Sequence, residues 1–531
     1  MKTWQDVASL YQIYPRSFRD TNGDGIGDLN GITEKLDYLA WLGIDAIWIS
    51  PFFTSPMTDF GYDIADYREI DPTFGGLDDF RSLLERAHIL DIKVMIDLVP
   101  CHTSDQHPWF QEARSSRDNP KRDYYVWHDG RDGNEPNNWR SLSGGSSWEF
   151  DEQTGQFYLH SFLKTQPDLN WDNPTVRDEM KNVVRFWFDM GVDGMRVDAI
   201  WGISKDPEFS DDSPNPDFHS DPEAYGAFIH DHCKMGPHFQ EYLHELASVC
   251  DEYDDKQMVF EFYPDERLGD IYQQYHQVLT THPKASAFFM EYRQDEWHAE
   301  HVGQKIENYL RATGSARPFF CVGNHDQPRV ASRLGTERAR ALHFLNLLTP
   351  GVSVMYYGDE IGMTNGELTT EDIQDNFSPA NSVIDSRDLE RTPMQWDDTR
   401  FAGFSEVKPW LPVNKNRTFV NVNSEKSSPM SMLNLHRALL RLRQEFPIIK
   451  NGTLNIVSSA DTGNGFILGI KRELGRERAY IFINFADAPQ SFSIPENGRI
   501  LASTHPQYLL LGKDRQMTIP GYCGVILITE S

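Results

Sequence analysis

The chain has 531 residues, a formal net charge of −30 and 39% hydrophobic residues. That length exceeds one compact core, so two or three domains are expected. The acidic balance excludes a nucleic-acid surface, which needs a basic face, and reads instead as a device for solubility. No run of about 18 apolar residues offers a membrane span. The opening MKTWQDVASLYQIYPRSF lacks the apolar centre of a signal peptide, so a cytoplasmic location and a small, imported substrate are expected.

Eight apolar runs read as strands: VASLYQIYP around Tyr11, IDAIWIS from Ile44, IKVMIDLV from Ile92, GMRVDA from Gly194, MVFEF from Met258, SAFFMEY from Ser286, FFCVG from Phe319 and VSVMYYG from Val352. Near-continuous hydrophobicity suits strands buried on both faces. Helical patterns precede several of them: ITEKLDYLAWLG, FRSLLERAHILD and VRDEMKNVVRFWFDMG. Strand and helix alternating eight times predict a (β/α)8 TIM barrel over residues 1–102 and 171–447.

Two segments interrupt the alternation. Residues 103–170 are polar and rich in Gly, Asn, Ser and Trp, too long for an ordinary connection, and are expected to form an inserted subdomain after the third strand. The stretch Trp201–Gly236, with its acidic, proline-rich SKDPEFSDDSPNPDFHSDPE, is expected to be irregular and to lie beside the site. Near the end, Met432, Leu435, Leu439, Leu442 and Phe446 recur at helical spacing before Pro447. From Ile448 onward, GFILGIKR, AYIFINFA and GVILITE read as strands of a C-terminal antiparallel β domain, residues 448–531. The five cysteines are odd in number and follow no paired spacing, so neither a disulfide framework nor a zinc site is expected; they read as buried small hydrophobes.

Four acids fall at strand ends: Asp97, Asp198, Glu261 and Asp326. Active sites of such barrels lie at the C-terminal ends of the strands. Two carboxyls in different protonation states across a glycosidic bond are what glycoside hydrolysis needs. Aromatics, 12% of the chain with 13 Trp, are plentiful enough to line a sugar pocket.

The motifs DLVPCH, QPDLN, GMRVDA, FEFYP and GNHDQPR, in this order, resemble those of glycoside hydrolase family 13, the α-amylase family. QIYPRSFRDTNGDGIGDLNGI, MYYGDEIGM and RTPMQWD look like its α-glucosidase and oligo-1,6-glucosidase branch. The resemblance implies a retaining enzyme acting on short α-glucosides such as maltose. Asp198 would be the nucleophile, Glu261 the general acid/base with a raised pKa, and Asp326 the third acid, on two sugar hydroxyls. It further implies Arg196 beside the nucleophile, Asp97 as support, and His102 and His325 on sugar hydroxyls. Asp59 and Tyr62 would hold the terminal glucose, and Phe162 would stack on the ring, with Gln166 beginning the QPDLN signature. Arg391 would pair with Asp59 and close the pocket, Arg387 being its rival. Ala199 after the nucleophile favours α-1,4 over α-1,6 cleavage, since relatives cutting α-1,6 bonds tend to carry Val there.

Asp20, Asn22, Asp24 and Asp28 alternate around Gly25 like the start of an EF-hand loop, although Gly31 stands where its final Glu would be. In the resembled enzymes this segment, with the Ile26 carbonyl, binds one structural Ca2+; Mg2+ is the alternative. Three departures stand out. Phe260 replaces a usual Gly and, with Phe262, offers an apolar setting for Glu261. Cys101 replaces an Asn of a second calcium site, which makes that site doubtful. Ser143 replaces a usual Phe beside the glucose, implying a wider or wetter pocket. Monomer and dimer both remain open, as do a transglucosylase, a sucrose- or trehalose-type isomerase and an α-1,6-preferring enzyme. A non-catalytic relative of the transporter-ectodomain kind would lack the acids and carry a span.

Overall fold

The computed structural model describes the chain apart from residues 1, 222–223, 295–296, 378–382, 384, 512–514 and 530–531. Pro222 and Glu223, at the end of the acidic insertion, and Glu530, in the last strand run, therefore lie outside the described residues. Eight parallel strands close into a barrel: β1 (Ser9–Ile13), β2 (Ala46–Ile49), β3 (Lys93–Leu98), β4 (Gly194–Val197), β5 (Gln257–Phe260), β6 (Ala285–Phe289), β7 (Phe319–Cys321) and β8 (Val352–Tyr356). They are the eight apolar runs of the sequence. Ser9 to Gln12 pair with Ser353 to Tyr356 and shut the ring.

The longer helices between and after them are α1 (Leu29–Leu42), α2 (Leu77–Ile89), α3 (Pro174–Met190), α4 (Phe239–Ala247), α5 (Ile271–Leu279), α6 (Ala299–Thr313), α7 (Thr336–Leu348) and α8 (Met432–Glu445). Local chemistry sets their ends. The Asp28 carboxylate accepts from the Gly31 amide at 2.7 Å to start α1, and Gly43, at φ 102°, stops it. Asn173 caps α3 ahead of Pro174, and Gly191, at φ 115°, ends it. Pro447 interrupts the helical run after α8 and opens a short new turn, Pro447–Asn451.

Period-two alternation sorts strand residues into two cores. Trp48, Met95, Val259, Phe288, Phe319 and Val354 fill the barrel interior. Ile47, Ile96, Met195, Val197, Phe260 and Phe320 point outward to the helices. Continuing the inner phase toward the C-terminal ends brings Asp97, Arg196, Asp198 and Glu261 over the barrel mouth.

Between β3 and α3 lies a small antiparallel sheet of Trp127–His128, Gln156–Leu159 and Trp148–Asp151. After β4 the chain runs to α4 without a described strand, with only short turns at Ile200–Gly202 and Tyr225–Ala227. The C-terminal region forms a five-stranded sheet, ordered Thr453–Val457, Ile467–Leu474, Glu477–Asn484, Gly524–Ile528 and Arg499–Ser503. Both its faces are covered. Leu468, Ile470, Ile481 and Ile483 join the barrel–helix core, whereas Ile467, Tyr480, Phe482 and Val525 pack with Phe492, Met517 and Ile519 of a smaller three-stranded sheet. Among the described residues no helix is long and apolar enough to cross a membrane.

Candidate active site

The ladder hydrogen bonds run one residue past the strands. The Asp198 amide donates to the Leu98 carbonyl and the Glu261 amide to the Val197 carbonyl, each at 2.8 Å. Both side chains therefore leave the barrel rim from a fixed backbone. Asp97 is in register with Arg196, and Arg196 with Val259, so the guanidinium lies between the three strands that carry the acids.

Arg196 is fully buried and binds three carboxylates at once. One terminal nitrogen contacts Asp97 at 3.0 Å and Asp198 at 2.5 Å, and the other contacts Glu261 at 2.5 Å. The Trp48 ring lies 4.9 Å from its Cζ, within cation–π range. One cation for three buried acids leaves negative charge in excess. Burial, and then the neighbouring charges, raise Asp97 to about 7 against the pull of Arg196. Burial also raises Asp198 well above the carboxylate range, with Glu261 and Asp97 adding to it and Arg196 opposing. The cluster thus retains a proton that belongs to the group rather than to one residue. Glu261 is further held by the Ala199 amide at 3.2 Å and by the Tyr263 hydroxyl at 3.2 Å.

Asp326 lies opposite under different electrostatics. Burial pushes it up, but the Arg391 and Arg387 guanidiniums overcome that and hold it well below the usual range. Arg391 donates to it at 2.7 Å, and Arg387 stands 3.4 Å away. His325 is stacked between Tyr62 and Tyr14, with ring centroids 5.3 and 5.6 Å away. Its Nδ1 faces Gln12 at 2.7 Å, and its Nε2, 3.3 Å from Asp326, has no hydrogen-bond partner among the described residues. Burial lowers the pKa of both His325 and His102, so each is neutral and available to sugar hydroxyls.

Asp59, Tyr62, His102, Phe162, Asp198, Ala199, Glu261 and Asp326 line one cavity. Arg196, His325 and Arg391 lie behind that lining and orient it. The pairing expected between Arg391 and Asp59 is not formed. Arg387 bonds Asp59 at 2.7 Å, while Arg391, four residues further along, reaches Asp326 and the His325 carbonyl. The reason lies in Asp375, whose carboxylate takes the Arg387 amide and side chain and turns it toward Asp59. Gln166 donates to the second oxygen of Asp59 at 3.0 Å. Tyr62 donates its hydroxyl to Asp97.

Two other expectations change. Phe260 and Phe262 do not face the Glu261 carboxyl. Being one residue out of phase, they point into the helix layer, where Phe262 meets Phe239 and Tyr275. Leu142, rather than Ser143, lines the cavity, and the Ser143 hydroxyl is spent on the Phe162 carbonyl. Beside Cys101, the Lys205 ammonium pairs with Asp168 at 2.9 Å, a fixed cation where a second calcium site would need an ion.

The remaining lining, Leu142, Trp201, Tyr225, Lys234, Tyr263, Gln327, Phe377 and Arg387, gives the mouth an aromatic wall. Phe162 lies 5.6 Å from Trp201 and 6.2 Å from Phe377, centroid to centroid. Tyr263 could have been found, since it continues the inner phase two residues beyond Glu261. Trp201, Asp375 and Phe377 are on irregular segments with no periodic signal.

In the loop after β1, Asp20 accepts from the Gly23 and Gly25 amides, Asn22 from Asp24, Asp24 from Ile26, and Asp28 from Thr21 and Gly31. The donor set suits a hard cation in kind, being oxygen throughout. The three carboxylates are not among the groups of ligand atoms lying within 4.8 Å of one another. An ion there would have to draw Asp20, Asp24 and Asp28 inward.

A (β/α)8 barrel with two acids on one arginine at its mouth, a third acid opposite and an aromatic-walled cavity defines a glycoside-cleaving enzyme. The α-amylase catalytic-domain family model matches residues 12–452, and the chain belongs to that family, glycoside hydrolase family 13. It is 38% identical to an oligo-1,6-glucosidase of Parageobacillus thermoglucosidasius, over 93% of each chain. It is 39% identical to a probable α-glucosidase of Rhizobium meliloti, over 93% of this chain and 91% of that one. Among solved structures, an α-glucosyl transfer enzyme superposes with a TM-score of 0.91 at 35% identity over all of both chains. The trehalulose synthase of Pseudomonas mesoacidophila MX-45 gives 0.88 at 36% identity over 99% of each. The protein is a family 13 glucosidase or transglucosylase.

Proposed function

We propose that this enzyme is a retaining exo-α-glucosidase that removes terminal non-reducing α-glucosyl residues, α-1,4-linked by preference, from short oligosaccharides such as maltose. The Arg196 bridge between Asp198 and Glu261 carries this reading, because it sets two acids side by side in one cluster that keeps a proton. Arg196 touches both acids, and the reactive arrangement is the one with the shared proton on Glu261, which delivers it, and Asp198 as the carboxylate nucleophile. An Asp198 oxygen attacks the anomeric carbon, the glycosidic C–O bond breaks, and the Glu261 proton goes to the leaving oxygen. A β-glucosyl ester results. Glu261, now a carboxylate, takes a proton from water as its oxygen attacks the same carbon, which frees Asp198 and releases α-glucose. Asp326, kept ionised by Arg391 and Arg387, holds two hydroxyls of the sugar and stabilises the cationic transition state.

The Arg387–Asp59 pair, braced by Asp375 and Gln166, closes the far side of the pocket and supports attack at a chain end. The aromatic mouth favours a second reading, in which a sugar hydroxyl replaces water and the product is a transferred or isomerised glucoside. Glucose release from maltose, isomaltose, sucrose, maltotriose and starch, with Asp198→Asn alongside, tests the assignment. Release from maltose but little from starch is expected, with a loss of at least about a thousandfold in the variant. Isomaltose preferred to maltose contradicts the linkage reading, and activity retained by Asp198→Asn contradicts the nucleophile.

We also propose that Asp20, Asn22, Asp24, the Ile26 carbonyl and Asp28 take up one structural Ca2+. Its chemistry would be confined to tying the loop after β1, remote from the acids. Calcium should then raise the melting temperature of the chelator-treated enzyme by mass action, and Asp24→Ala should remove that rise. No calcium-dependent shift in the wild type overturns the proposal.

A further inference from the structure

The segment between β4 and α4 carries a cluster that the glycosidase chemistry leaves unused. Asp212, His230 and Cys233 are buried, at 1%, 0% and 8% exposure, with ligand atoms all within 4.8 Å of one another. The His230 Nε2 stands 2.8 Å from the Tyr225 carbonyl, which can only accept, so Nε2 carries a hydrogen and the neutral ring presents its lone pair at Nδ1. That lone pair faces an Asp212 carboxylate oxygen at 3.4 Å and the Cys233 sulfur at 3.5 Å. Among the described residues the same carboxylate oxygen accepts no N–H or O–H hydrogen bond, the Cys233 thiol being the group beside it. Its sister oxygen accepts the His232 and Cys233 amides, at 2.8 and 3.1 Å, which fixes the carboxylate.

At 3.4 Å the nitrogen and the oxygen stand farther apart than a charge-assisted hydrogen bond places them. They fit the edges of a tetrahedron. With metal bonds of about 2.05 Å to nitrogen, 2.1 Å to oxygen and 2.3 Å to sulfur, tetrahedral angles put nitrogen and oxygen about 3.4 Å apart and nitrogen and sulfur about 3.6 Å apart. The surroundings match those of a metal site. The imidazole is oriented by a backbone carbonyl, and its ring is stacked on Tyr225 at 3.8 Å. A thiolate and a carboxylate also neutralise a dication, so the occupied cluster carries no net charge in its buried setting.

We propose that Asp212, His230 and Cys233 bind a divalent transition metal of the zinc class, with water in the fourth position. Thiolate and imidazole ligands select such an ion over Ca2+ or Mg2+. The sequence hides the site, since only His230 and Cys233 are near neighbours and Asp212 arrives from across the loop. Cys233 also packs with Trp139, Trp148 and Leu159 of the inserted subdomain, so the ion fixes the part of the loop that rests on that subdomain. The tie matters to the reaction because Tyr225 and Lys234, flanking the ligands in sequence and in space, line the substrate cavity. The metal is a staple for the wall of the pocket rather than a participant in bond cleavage.

Cobalt titration of the chelator-treated full-length enzyme tests the site. The expected result is about one Co2+ per chain with a thiolate-to-cobalt charge-transfer band, displaced by Zn2+. Cys233→Ser should lose the band, whereas Cys250→Ser, a buried cysteine on another element, should keep it. Cobalt bound at the oxygen-only loop after β1 gives no such band, so the two sites are separable. Absence of the band in the wild type, or its persistence in Cys233→Ser, overturns the proposal. The wild-type titration decides even where a variant fails to fold.

Discussion

Arg196 sets the chemistry at the scale of single residues. Its three carboxylate partners cannot all ionise against one guanidinium in a buried site, and the retained proton is the one a leaving oxygen requires. Asp326 shows the opposite arrangement, one acid between Arg387 and Arg391, and stays ionised. The same type of residue thus takes two roles through its neighbours alone. Ala199 adds a specificity argument. It follows Asp198 with φ at 43°, a left-handed conformation that a β-branched side chain tolerates poorly, and it lines the cavity. Ala199→Val should move the ratio of kcat/KM for isomaltose over maltose upward, by up to about 200-fold, since a methyl-scale change is worth about 1–3 kcal/mol. Competition between the two sugars measures it. A ratio that stays constant or falls would show that linkage preference is set elsewhere.

At the scale of elements, closure of the barrel depends on a buried carboxyl outside the cavity. Glu360, just past β8, accepts from Tyr11 of β1 and Tyr38 of α1, each at 2.8 Å, and so joins the last strand to the first strand and helix. Burial raises it to about 7 from an ordinary 4.5, although both tyrosines favour the charged form. A raised acid stabilises the fold fully below its unfolded value and loses that contribution as pH rises through the folded one. Wild-type stability should therefore fall relative to Glu360→Gln between about pH 4.5 and 7, by roughly 1–3 kcal/mol. Melting temperatures of both proteins at pH 5 and pH 8 measure this, and a gap that does not change with pH contradicts it. The strands, the inner phase and the three acids were legible because period two and apolar runs are local signals. Which arginine reaches Asp59 was not, because Arg387 and Arg391 share one irregular loop and Asp375, at a distance in sequence, decides between them. The outward direction of Phe260 was legible in principle, since alternation requires it once Glu261 points inward. Trp201, Tyr225, Lys234 and Phe377 were not, as their positions depend on insertions whose path has no periodicity.

At the scale of the whole molecule, the layers divide the work. The barrel carries the acids, the insertions after β3 and β4 raise walls around them, and the C-terminal sheet covers the helices with one face and a smaller sheet with the other. This division explains why fold and catalytic centre follow from family membership while the preferred sugar partner does not, because the partner meets the walls. The account as a whole requires the Asp198 ester and two inversions at one carbon. The anomer released from maltose, followed by proton NMR in the first minutes before mutarotation, tests that most directly. The account predicts α-glucose from the cleaved non-reducing end, whereas β-glucose as the first product would mean a single displacement by water and would contradict Asp198 as the nucleophile.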